Sequence, residues 1–168
     1  GTLLTPEKHY LEWKGDGFTE HPAERDIVDI EVEEYCEGIP GKLEKQLFAL
    51  FYKKRFLDLI HNFVIFDKGI KKVCRYNQYY AIKRAQHRLT DKKSGGIVWH
   101  TQGSGKSLTM VWFSKWILEN NPNARVLVVT DREELDEQIE KNYKGVDENI
   151  VRTKSGKDLL ERLNAFDD

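Results

Sequence analysis

The eight residues 100–107, HTQGSGKS, hold the side chains and spacing with the clearest chemistry in this chain. A nucleoside triphosphate is gripped by backbone N–H groups turned toward its phosphates, which requires a chain able to wrap closely around them. Gly103 and Gly105 lack the Cβ that would block that approach. A helix opening near Lys106 adds the positive end of its dipole at the same place. Lys106 then reaches the β- and γ-phosphates, and the Ser107 hydroxyl ligates a magnesium ion. Thr101, Gln102 and Ser104 complete the loop. The strict pattern GxxxxGK[ST] asks for glycine where this chain has His100. A glycine-rich turn with a fortuitous Lys-Ser is the plain alternative.

Such a loop needs a strand before it and a helix after it, and the flanking residues read that way. GIVWH (96–100) is expected to be a buried strand, and 106–120 a helix. RVLVVT (125–130) is expected to be a second buried strand, 132–143 a helix, 149–151 a third strand and 157–166 a last helix. All-apolar strands alternating with helices predict an α/β fold with a parallel sheet covered on both faces. Upstream, Leu43, Leu47, Leu50, Phe51, Phe56, Leu57 and Ile60 recur at three- and four-residue steps, predicting an amphipathic helix over 42–61, or two with a bend. FVIF (63–66) reads as a buried strand and 71–89 as helix, while residues 1–39 read as loop with short elements. IVDIEVEEY (27–35) fits no single period.

The composition bounds the function classes. With 168 residues and 39% hydrophobic content, including four Trp, seven Tyr and eight Phe, the chain can bury one ordinary core. No apolar run approaches the roughly 18–20 residues of a membrane-spanning helix. Neither a disordered polyelectrolyte nor a disulfide scaffold fits. Cys36 and Cys74 have no CxxC or Cys/His spacing around them, so two reduced thiols are expected and a structural zinc site is not. The opening lacks both Met and the features of a signal peptide, so a piece of a longer protein is expected. The net charge of -1 hides an asymmetry. Residues 1–47 carry five Lys and Arg against twelve Asp and Glu, and residues 48–93 twelve against three. The basic middle is either a surface for a phosphate backbone or a solvated helix face.

Hydrolysis also needs a carboxylate at a strand end. Asp67 closes FVIFD and Asp131 closes VLVVTD. Asp67 precedes the loop and reads as an ordinary strand-end residue, whereas Asp131 would suit a small kinase. A self-contained P-loop kinase or nucleotide-binding module is therefore one alternative. A non-catalytic interaction module is another, with the 42–61 helix docking other subunits.

GGIVWHTQGSGKSLTM followed by RVLVVTDREELDEQI resembles the first two motor motifs of the R subunit of type I restriction enzymes. CRYNQYYAIKRA, FLDLIHNFVIFD and the opening GTLLTPEKHYLEWK are similar to the same region. That family comprises superfamily-2, helicase-like DNA translocases fused to an endonuclease. The resemblance implies ATP and Mg2+ as cofactors, a bacterial or archaeal cytoplasmic location, and no membrane. It implies double-stranded DNA, a methyltransferase subunit and a specificity subunit as partners. It matches Gln78 to the glutamine that reads the adenine edge, assisted by Arg75, and Thr130, Asp131 and Arg132 to a segment touching one DNA strand. Helix capping by Thr130 or Asp131 is the competing role there. Residues 1–62 would connect nuclease to motor, and 63–168 would begin the first RecA-like domain. Glu12 and Lys14 mimic part of a nuclease motif but read as surface charges. The second motor lobe and the downstream carboxylates have no counterpart, so this piece alone is expected to be inactive.

Overall fold

A computed structural model describes residues 32–35, 37–38, 41–67, 70–130, 133–144 and 150–165, with backbone only for 67 and 133–138. Helix α1 (Lys42–Phe51) and helix α2 (Lys53–Asn62) realise the amphipathic stretch as two helices. The bend falls at Tyr52, whose ψ of 124° leaves the helical region. The expected helix over 71–89 begins later. Ile70–Val73 instead forms strand β2, antiparallel to β1 (Val64–Asp67), with Val64 opposite Val73 and Asp67 opposite Ile70. The β-branched ends of Ile70–Val73 suit a ladder, and a hairpin partner lies next to it in sequence. In β1, Ile65 is buried while Phe66 is 60% exposed, so the strand is half-buried rather than wholly buried.

Helix α3 (Tyr76–His87) follows, running into a π-helical turn at Arg88–Lys92. Helix α4 (Lys106–Asn120), helix α5 (Glu133–Lys144) and helix α6 (Gly156–Asn164) match the expected helical stretches to within one or two residues. Ser155 caps α6 by accepting the Asp158 N–H. The core gathers Phe63 and Ile65 at the hairpin, Tyr79 and Ile82 of α3, Val111 and Trp112 of α4, and Ile139 and Tyr143 of α5. Phe63 touches both Tyr79 (ring centroids 5.1 Å) and Trp112 (6.1 Å), joining three elements through one side chain. A buried hydrogen bond from Tyr143 to Ser114 Oγ (2.7 Å) fixes α5 against α4.

The segments 96–100 and 125–130, expected as strands, form neither strand nor ladder among the described residues. Ile97 is 90% exposed, Trp99 91% and Val129 82%, contrary to the burial expected of them. A parallel strand acquires its burial from neighbours delivered by crossover connections, and only the β1–β2 pair forms a sheet among the described residues. The third expected strand likewise forms no ladder at Ile150 and Val151, with Asn149 outside the described residues. The described fold is mostly helical with a small antiparallel sheet, and it is compatible with an α/β class.

Candidate nucleotide site

The loop 100–107 lies across the N-terminal ends of two helices. Its turn depends on Gly103 at φ +76° and Gly105 at φ +85°, left-handed values that side-chain-bearing residues rarely adopt. A Cβ at Gly105 would in addition push Gln78 Nε2 aside. Gly103 faces open space, so its φ alone makes the demand. Ser104 tightens the turn, its hydroxyl donating to Thr101 O at 2.7 Å. Beyond Gly105 the chain enters α4, whose first N–H groups lack carbonyl partners within the helix.

Two side chains of the preceding helix hold the loop. Gln78, only 3% exposed, donates from Nε2 to Gly105 O at 2.9 Å, while its Oε1 accepts the Arg75 N–H at 2.8 Å. One amide thus caps the start of α3 and ties it to the loop, and the two contacts together fix which way the amide faces. Arg75 Nη1 donates to Gly103 O at 3.3 Å. Gly105 O accepts twice more, from Thr109 N at 3.1 Å and Thr109 Oγ1 at 3.3 Å.

Lys106 folds back on the loop, its Nζ donating to Thr101 O at 3.0 Å and His100 O at 3.2 Å. An ammonium satisfied by two neutral carbonyls in an exposed loop would gain more from an anion. Ser107 is half-buried in the first turn of α4, and Thr101, Gln102 and Gly103 are exposed. His100 lines an apolar cavity of about 210 Å3 with Ala81 and Ala85 of α3, Thr109, Met110 and Phe113 of α4, and Val98. Burial, then the nearby Lys106 ammonium, lowers the His100 pKa below its ordinary value.

The residues singled out in sequence thus divide. Arg75, Gln78 and the whole loop come together. Thr130 is half-buried, and Asp131, Arg132, Glu12, Lys14 and Cys36 lie outside the described residues. Cys74 is a free buried thiol, its pKa raised chiefly by desolvation. Among the described residues no group of three or more His, Cys, Asp or Glu could hold a metal ion. The Ser107 hydroxyl is a fitting ligand for a magnesium ion that arrives with phosphates. Asp58 was missed by sequence reading. It accepts from Tyr79 OH (3.0 Å) and Asn62 Nδ2 (2.7 Å) and pairs with Lys83 Nζ (3.0 Å). The Asn62 partner lies one turn away, but Tyr79 and Lys83 belong to another helix, so helical spacing gives no signal for the cluster.

The glycine turn is thus held by a glutamine on the preceding helix, and the comparisons give the protein's class. The chain belongs to the SWI2/SNF2 ATPase family, whose description matches residues 77–168. It is similar to type I restriction enzyme endonuclease subunits over most of its length. The HindI endonuclease subunit of Haemophilus influenzae is 34% identical over 96% of this chain and 14% of its own length. The MjaIXP protein of Methanocaldococcus jannaschii, provisionally named as such a subunit, is 34% identical over 97% of this chain and 17% of its own. The SauCOLORF180P endonuclease subunit of Staphylococcus aureus is 32% identical over 52% of this chain. The chain therefore spans about a sixth of the curated relatives it matches first. No solved structure matches.

Proposed function

We propose that residues 63–168 begin an ATP-driven motor domain, and that the protein translocates double-stranded DNA as part of a type I restriction complex. The observation that carries the reading is the set of hydrogen bonds from Gln78 and Arg75 to the carbonyls of Gly105 and Gly103. They hold the loop in its left-handed turns, so the binding geometry is prepared before any ligand arrives. Lys106 exchanges its two loop carbonyls for the β- and γ-phosphates of ATP. Ser107 ligates Mg2+, which neutralises phosphate charge and so assists attack by water. Thr101, Gln102 and Ser104 contribute loop contacts. Gln78 still has one N–H and one acceptor lone pair beyond its bonds to Gly105 O and the Arg75 N–H, and these serve the adenine edge. Thr130 and Arg132 contact a DNA strand, through hydroxyl and guanidinium groups suited to phosphate oxygens.

Residues 1–62 connect a nuclease to this motor, and the partners are the methyltransferase and specificity subunits in a bacterial or archaeal cytoplasm. Among the described residues no helix is long and apolar enough to cross a membrane. Alone, the 168 residues bind nucleotide weakly and do not turn it over. The test is calorimetric titration with Mg-ATP, wild type against Lys106→Ala, with circular dichroism confirming that both are folded. Binding lost in the variant is expected. Equal binding by both, or none by either, would overturn the reading.

A further inference from the structure

The nucleotide loop is held by α3, and α3 is in turn held from its other side. Successive helix residues project about 100° apart. Gln78 points at the loop, and Tyr79, the next residue, points at α2, where its hydroxyl donates to Asp58 Oδ2 at 3.0 Å. One turn further on, Lys83 pairs with the same oxygen at 3.0 Å, its ammonium 6.0 Å from the Tyr79 ring centre. Asn62 Nδ2 fixes the other carboxylate oxygen at 2.7 Å. Arg55 makes a second fastening. Arg55 is 5% exposed, and its guanidinium donates to Phe48 O and Ala49 O at the end of α1 and lies 6.0 Å from the ring centre of Tyr80 on α3.

Both α1–α2 and the loop therefore set the rotation of α3 about its axis. We infer that Asp58 is a positioning residue for the nucleotide site: through Tyr79 and Lys83 it sets the rotation of α3 that keeps Gln78 on Gly105 O. A displacement of α2 is then felt at the phosphate loop, and an occupied loop resists that displacement. This makes the connector a mechanical input to the motor. The inference rests on the loop's being the ATP site, and its test contains a readout independent of that.

The first measurement is amide hydrogen exchange without nucleotide on the intact protein, wild type against Asp58→Asn. Faster exchange at 103–107 is expected in the variant, and unchanged exchange there would overturn the inference whatever the loop binds. Tyr79→Phe, which removes one hydroxyl, serves if Asp58→Asn fails to fold, with the same two outcomes. The second is affinity for a fluorescent ATP analogue with Mg2+ in Asp58→Asn, Gln78→Ala and the double variant. Each single change is expected to weaken binding roughly threefold to tenfold, and the double no more than the worse single, as residues acting through one path should. Weakening in the double equal to the product of the singles would overturn the inference. Lys106→Ala is the control for the ATP reading: if it leaves analogue affinity unchanged, that reading falls while the exchange result still decides the role of Asp58.

Discussion

The body formed by β1, β2 and α2–α5 and the segments 96–100 and 125–130 both carry large apolar side chains, yet some of these meet opposite fates. Phe63 is buried against two other aromatic rings, whereas Trp99 stands 91% exposed. Helices and an antiparallel hairpin satisfy their backbone groups from nearby in sequence, and so need only a face to pack on. A central parallel strand needs a neighbour on each side, each supplied by a distant crossover. Apolar content alone therefore does not bury a side chain: Phe63 and Ile65 have packing partners among the described residues, while Ile97, Trp99 and Val129 stand open.

The comparison can be broken most decisively by two aromatic truncations. Phe63→Ala should destabilise residues 1–168 by about 3–5 kcal/mol in a denaturant titration, since it removes the ring shared by the hairpin, α3 and α4. Gly105→Ala comes next, at about 1–3 kcal/mol, because the new Cβ is strained at φ +85° and displaces Gln78. Its thermal midpoint should fall even without ligand. Tyr143→Phe should cost about 1 kcal/mol by leaving Ser114 without its buried donor. Trp99→Ser should stay within about 0.5 kcal/mol in the same titration. A loss matching that of Phe63→Ala would erase the contrast between the two regions.

The smallest effect is one of pH, at the residue where the regions meet. The His100 pKa is lowered in the folded chain, so the unfolded chain binds the proton more readily. Its contribution is present above the unfolded value near 6.5 and fades as pH falls through the lower folded value. Relative to His100→Asn, wild type should therefore lose stability as pH falls from about 6.5 through the lower folded value and level off below it, read as thermal midpoints at several pH values.

How much of this was legible follows the same division. Leu43 to Ile60 announced a helical pair because their period is local, and Tyr52 supplied the bend. The GSGKS run announced the loop because glycine spacing is itself the constraint on its turns. Gln78 was singled out only through a family resemblance, as a reader of the adenine edge; its tie to the loop, in which the amide grips the peptide chain itself, came from the structure. Ile70–Val73 was misread because two lysines at its centre masked a strand whose partner is set by pairing rather than composition. Asp58 was invisible because its value lies in residues 21 and 25 positions away.

The oxygen of Gly105 receives three donors, Thr109 N, Thr109 Oγ1 and Gln78 Nε2. That oxygen belongs to the same peptide unit as the Lys106 N–H, at the first position of α4. Donors crowded on one end of an amide draw electron density toward it and leave the hydrogen at the other end more positive. On the proposed reading, an anion taking the Lys106 N–H would be held more tightly through resonance in this single peptide bond, by donors that bind only its far end.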